Sequence, residues 1–154
     1  MGWYSGVGTP WRTCKMINEN ILTELLIKHE GFRLKPYKDS VGKLTIGVGR
    51  NLDDNGIRRI EAMFMLRNDI QDVYEQIERY SWFHKCNEVR RLVLMDMVFN
   101  LGLPKFLGFK RMISALLSSN WEEASREMLD SKWATQVGQR AIDLAEMMFH
   151  GDMR

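Results

Sequence analysis

Cysteine is nearly missing from this sequence. Cys14 and Cys86 are the two in 154 residues. They lie far apart, fit no zinc or dithiol spacing and cannot make a disulfide framework. Reduced thiols in a cytoplasm are therefore the default expectation. Histidine is equally scarce, and His29, His84 and His150 are too scattered to form a metal site. No apolar run approaches the roughly 18 residues of a membrane span. The longest, Leu92–Phe99, is interrupted by Asp96. An excess of one charge is absent too: 22 Lys and Arg face 20 Asp and Glu, a net +2, which excludes a histone-like polycation. The first fifteen residues lack the continuous apolar core of a secretory signal. A Met-Gly start hints at myristoylation, but Gly6 stands where Ser or Thr is needed.

What remains is an ordinary globular composition, 45% hydrophobic and 27% charged. The length suits one domain that buries enough surface to fold without staples. Residues 1–15 read as a loose tail or cloning remnant, with Met16 as an alternative natural start, and residues 16–154 as the folded domain. Ile21, Leu22, Leu25 and Leu26 recur at three- and four-residue steps, which predicts a helix over Asn18–His29 stopped by Gly31.

The next stretch is rich in glycine and proline: Pro36, Gly42, Gly47, Gly49 and Gly56. Within it residues 44–49 alternate at period two, between a turn at Ser40–Gly42 and another at Asn51–Asn55. That is a hairpin or a three-stranded sheet. From Ile57 onwards the helical period returns. Ile60, Met63, Phe64, Ile70, Val73, Tyr74 and Ile77 mark one long amphipathic helix. Val89–Leu101 is apolar on nearly all sides, as a central bundle helix is. Phe109–Leu117 is a short helix, Asn120 with Glu123 reads as a capping box for Trp121–Leu129, and a last helix covers Gln139–Phe149. The predicted class is α+β with helix dominant: a small sheet lobe beside a helical bundle lobe. The eleven methionines read as core filling, and Trp82, Trp121 and Trp133 as core or cleft walls.

A cleft between such lobes is a usual place for a ligand. Glu30 ends the first helix, Asp39 precedes the turn and Thr45 opens the alternating strand. Their spacing alone carries little. Acids are 20 of 154, about 0.13, so any acid has that chance of another nine residues on. A helix-end acid, a turn-capping Asp and an ordinary strand Thr are ready alternatives.

The literal string carries more. His29-Glu30-Gly31, five residues, Tyr37-Lys38-Asp39, five residues, then Thr45-Ile46-Gly47-Val48-Gly49 resembles the active-site region of the phage-type lysozymes, the endolysins of glycoside hydrolase family 24. Met97-Val98-Phe99-Asn100-Leu101-Gly102, Gly108-Phe109, Ser131-Lys132-Trp133 and Gln139-Arg140-Ala141 resemble that family's later motifs, in order. The resemblance implies a two-lobed lysozyme-like fold. It also implies hydrolysis of the β-1,4 bond between N-acetylmuramic acid and N-acetylglucosamine in bacterial peptidoglycan, with inversion. By the same resemblance Glu30 is the general acid, and Asp39 and Thr45 activate and hold the attacking water. Arg140 pairs with Glu30, while Phe99 and Asn100 face the sugars.

This division suits the chemistry, which needs one carboxyl as acid and one as carboxylate. Two departures stand out. Arg50 replaces a histidine of the well-known family branch, either taking over a structural salt bridge or touching substrate. The Asn51–Gly56 loop is also short. No cofactor or metal is implied. Peptidoglycan is the expected partner, with no nucleic acid and no membrane insertion, for a monomer held in the host cytoplasm until a holin-like pore releases it. Two rivals compete. One is a helical nucleic-acid-binding domain using Arg58, Arg59, Lys105, Lys110 and Arg111, which leaves the Glu30–Thr45 string unexplained. The other is a peptidoglycan-binding protein without turnover.

Overall fold

A computed structural model describes residues 18–153. The proposed tail, Met16 as a start, and Cys14 lie outside the described residues. The chain divides into two compact units, one ending at Arg59 and one beginning at Ile60.

In the first unit, α1 (Glu19–Glu30) starts and stops where its sequence dictates. Asn18 Oδ1 accepts the Ile21 N–H at 3.2 Å, satisfying one orphan donor of the first turn. Gly31, at φ 78°, returns its N–H to the Ile27 carbonyl. None of α1's residues is buried, since a unit of one long helix, a one-turn helix and three short strands has little interior. The strands β1 (Arg33–Lys38), β2 (Leu44–Gly47) and β3 (Arg50–Asn51) form an antiparallel sheet in chain order. Pro36, which has no N–H to donate, sits in the edge strand β1, where the register slips between Arg33 and Tyr37. Tyr37 and Asn51 flank Thr45 across the sheet.

The segment expected to be a loop after β3 is instead a one-turn helix, α2 (Leu52–Asn55). Asn51 caps it by accepting the Asp54 N–H at 3.0 Å. Its acids then tie it back to β2: Asp53 accepts the Leu44 N–H at 2.8 Å, and Asp54 pairs with Lys43 at 2.8 Å.

The second unit is helical. It holds α3 (Arg59–Ile77, from its second residue), α4 (Ser81–Lys85), α5 (Glu88–Leu101), α6 (Leu103–Phe106), α7 (Lys110–Leu117), α8 (Trp121–Leu129), α9 (Lys132–Val137) and α10 (Gln139–His150). Its core stacks Ile77, Phe83, Leu94, Met97, Phe106, Met112, Leu116, Met128 and Met148, all fully buried. Four of these are methionines, the gap fillers the composition suggested. Trp82 and Trp133 are buried, and Trp121 lies under the Arg90 guanidinium, 4.2 Å from its ring centre.

Two expectations need correction. α5 is not apolar-buried on all sides: it buries Val93, Leu94, Met97 and Val98, while Leu92 and Phe99 are 47% and 46% exposed. Those two, with Leu66, Ile70 and Met95, line an apolar recess of about 300 Å³. The capping box at α8 is half-formed. Asn120 does accept the Glu123 N–H at 3.1 Å. The Glu123 carboxylate pairs forward with Arg126 rather than back, and the Asn120 N–H goes to the Ala115 carbonyl instead.

Candidate active site

Thr45 is the sole buried polar side chain among the described residues, 3% exposed in the middle strand of the sheet. Burying a hydroxyl costs free energy unless it is hydrogen-bonded. Thr45 meets that demand by donating Oγ1–H to the Lys43 carbonyl at 3.1 Å. Its single proton is then committed, and its lone pairs remain as acceptors.

Asp39 closes the β1–β2 turn from the other side of the same residue. Its Oδ1 accepts the Val41 N–H at 3.0 Å and the Lys43 N–H at 2.8 Å. Its own N–H goes to the Lys43 carbonyl at 3.0 Å. The turn-capping reading of Asp39 is therefore true of one carboxylate oxygen. The second, Oδ2, takes part in none of these bonds. Lys43 thus brings Asp39 and Thr45 together: its N–H binds one side chain and its carbonyl the other.

Glu30 is the last residue of α1, where helix carbonyl ends already concentrate negative charge. A carboxylate there is an electrostatic cost to the helix, so helix stability does not explain its presence. The carboxylate lies against the β2–β3 turn. A Cβ built on Gly49, which has φ +68°, would stand 2.9 Å from Glu30 Oε2. Only a residue without a side chain lets this carboxylate rest on the turn. Arg50, next in sequence, donates Nη1–H to the Gly56 carbonyl at 3.4 Å and so helps hold the segment around α2.

The remaining expected site residues belong to the second unit. The resemblance pairs Arg140 with Glu30; in the structure Arg140 grips Asp96, with Nε and Nη2 at 2.9 and 2.8 Å from Asp96 Oδ1. Asp96 as the partner of Arg140 was not foreseen, though a signal existed. It is the one charge inside the apolar run of α5, and such a charge needs a partner. Phe99 lines the apolar recess described above. Asn100 accepts the Trp133 indole N–H at 2.8 Å. Among the described residues no group of three His, Cys, Asp or Glu side chains could hold a metal ion.

The sequence matches a known family over most of its length: the family model described as phage lysozyme covers residues 27–146. The chain belongs to the phage lysozyme family. Among curated relatives, it is 26% identical to the pre-baseplate central spike protein Gp5 of Enterobacteria phage T4, over 86% of this chain but 28% of the spike protein. It is also 26% identical to the probable T4-type lysozyme 2 of Dictyostelium discoideum, over 86% of this chain and 96% of that one. With the SAR-endolysin of Escherichia phage Mu the identity is 25%, over 82% and 78% of the two chains. As a member of the phage lysozyme family this chain is a lysozyme-type glycosidase domain. No helix among the described residues is long and apolar enough to cross a membrane.

Proposed function

We propose that this phage lysozyme domain is an endolysin-type muramidase. It hydrolyses the β-1,4 bond between N-acetylmuramic acid and N-acetylglucosamine of peptidoglycan, with inversion. Glu30 protonates the glycosidic oxygen as the bond to the anomeric carbon breaks. Water attacks that carbon from the opposite face, and Asp39 takes its proton.

The observation that carries this reading is the bonding around Lys43. Thr45 has its proton committed to the Lys43 carbonyl, and Asp39 has one oxygen committed to backbone N–H groups. What each has left for a water molecule is an acceptor: the Thr45 lone pairs and Asp39 Oδ2. A water giving one hydrogen to each keeps its own lone pair for the sugar. The same backbone bonds hold both acceptors still, which keeps the orientation cost low. Arg140 is assigned the orientation of Glu30, and Phe99, Asn100 and Arg50 contacts to substrate, on the resemblance alone. Release from the cytoplasm through a holin-like pore is part of the same reading.

The match to the T4 spike protein favours a second mode of delivery, in which such a domain travels with the virion. The chemistry is the same in both. The test is loss of turbidity of a Gram-negative cell-wall suspension, wild type beside Glu30→Gln. An amide cannot supply the acidic proton, so the variant is expected to lose about 100-fold or more of the rate. A folded variant with most of the wild-type rate would remove Glu30 from this role.

A further inference from the structure

We propose that Asp53 is a positioning residue for the attacking water. It acts from α2, outside the trio of Glu30, Asp39 and Thr45, by fixing the Lys43–Leu44 peptide group on which Asp39 and Thr45 both depend. This rests on the hydrolase reading above and adds to it the residue that holds the water-binding pair in place.

The Lys43 carbonyl and the Leu44 N–H are the two ends of one peptide group. That group is planar and trans, so its ends point in opposite directions and turn together. The carbonyl receives the Thr45 Oγ1–H at 3.1 Å and the Asp39 N–H at 3.0 Å. The N–H at the other end goes to Asp53 Oδ2 at 2.8 Å. Any rotation of this plane disturbs Thr45 and Asp39 at once. Asp53 is the group that resists the rotation from the far side.

The register of the sheet explains why a side chain has this task. Lys43 turns its N–H and its carbonyl to Asp39, on the β1 side. Strand residues alternate sides, so the Leu44 N–H faces β3. Ile46 lies opposite Arg50 and Thr45 opposite Asn51, so the place across from Leu44 falls to Leu52. There β3 has ended and α2 has begun, and the Leu52 carbonyl accepts the Gly56 N–H at 3.0 Å. The ladder is short of one acceptor, and the Asp53 carboxylate fills the place.

Asp53 and its neighbour Asp54 divide the work. Asp54 holds side chains: its Oδ1 pairs with Lys43 Nζ at 2.8 Å, and its Oδ2 accepts from Asn51 Nδ2 at 2.8 Å. An ion pair as exposed as Lys43–Asp54 contributes little. Asp53 holds main chain, and the peptide it grips ends on the buried Thr45. A charged acceptor also polarises that peptide, which strengthens the hydrogen bonds to its carbonyl. The Thr45 proton is then held more firmly, and its lone pairs stay turned to the water. Since Asp39 and Thr45 act on the water and not on the glycan, the effect falls on the attack step. It belongs in kcat and not in KM.

The experiment compares Asp53→Ala, Asp53→Asn and Asp54→Ala in the full chain. Circular dichroism and Tm check folding, and kcat and KM are measured on purified peptidoglycan. Asp53→Ala is expected to lower kcat about three- to tenfold, the weight of one hydrogen bond, with KM within about twofold. Asp53→Asn keeps an oxygen that accepts the Leu44 N–H and should recover most of that loss. Asp54→Ala loosens α2 without touching the peptide and should keep kcat within about twofold. Thr45→Val leaves the Lys43 carbonyl without its hydroxyl, so Asp53→Ala should cost less in that background than alone. In the wild-type protein, an NMR scalar coupling from the Leu44 nitrogen to the Asp53 carboxylate carbon is expected across the bond.

A folded Asp53→Ala with wild-type kcat overturns the proposal. Equal losses in Asp53→Ala and Asp54→Ala overturn it too, because Asp53 would then only support α2. So do an asparagine variant as slow as the alanine one, and an undiminished cost in the Thr45→Val background. The coupling needs no substitution, so it decides the matter even if Asp53→Ala fails to fold: its absence overturns the proposal. Wild-type turnover is the internal reference. Its absence overturns the hydrolase reading itself, whereas normal wild-type turnover beside an unaffected Asp53→Ala overturns only the role of Asp53.

Discussion

The carboxylate of Glu30 rests on the α-carbon of Gly49, close enough that a methyl group added there would stand 2.9 Å from Oε2. The contact joins the end of a helix to a turn of the sheet, and the absence of a side chain at Gly49 makes it possible. Gly49 also has φ +68°, where an L-residue is strained.

Gly49→Ala therefore acts twice. The backbone strain is expected to lower stability by about 1–2 kcal/mol. The larger effect falls on activity, because the flexible Glu30 side chain yields more readily than the backbone and its carboxylate moves. A displacement near 1 Å at a catalytic group costs on the order of 100-fold in rate. Urea denaturation and cell-wall turbidity measured on the same preparation check this. A variant less stable but fully active would mean that Glu30 does its work elsewhere than on this turn.

Thr45 separates the hydroxyl's chemistry from its packing. Thr45→Ser keeps a hydroxyl that can donate to Lys43 and accept from water; Thr45→Val keeps the volume and loses both. The valine variant is expected to lose about 100-fold of the hydrolysis rate, with a stability change of no more than about 1–2 kcal/mol from the lost hydrogen bond. The serine variant should recover most of the rate. If valine is as active as serine, Thr45 is an ordinary strand residue whose hydroxyl only satisfies the Lys43 carbonyl.

Cys86 supplies a pH test of the second unit's core. Burial pushes its thiol up from 9.0 to about 11, and Arg90 and Arg91 nearby only partly offset this. A raised pKa means that the unfolded chain releases this proton first as pH rises. The stabilising effect is then whole below about 9 and is lost between 9 and 11. In a Cys14→Ser background, stability should fall faster over that window than in the same protein carrying Cys86→Ala. The native thiol should also resist maleimide at neutral pH until urea is added, since the thiolate is the reactive form. Parallel stability curves for the two proteins would show that Cys86 keeps an ordinary thiol pKa in the folded state.

Much of the fold was legible because local rules and tertiary structure agree. Asn18 and Gly31 bracket α1 as cap chemistry requires, and Asn120 starts α8. The short helices were missed although their signals were present: Asn51 caps α2, Pro104 lies in the first turn of α6, and Ser131 caps α9. Four to six residues are too few for a helical period to stand out from the flanking turns. At the candidate site, Glu30, Asp39 and Thr45 were nominated through a string of residues, and their spacing would not have sufficed. The Lys43 peptide that links two of them could not be read from sequence, since it depends on the register of β1 against β2. Arg140 with Asp96 and Trp133 with Asn100 lie 44 and 33 residues apart. Such pairs become visible only when α10 and α9 are packed against α5. The exposed Leu92 and Phe99 escaped for the opposite reason: apolar content marks a helix for burial without saying which turn is covered.

The most direct test of the account is the identity of the new reducing end. Purified peptidoglycan digested by the full chain is reduced with borohydride, and the released muropeptides are read by mass spectrometry. A muramidase acting by water attack leaves every new end as N-acetylmuramitol. N-acetylglucosaminitol ends would place the cut at the other glycosidic bond. A 1,6-anhydro end, which borohydride cannot reduce, would mean that no water attacks at all, contradicting the roles given to Asp39 and Thr45.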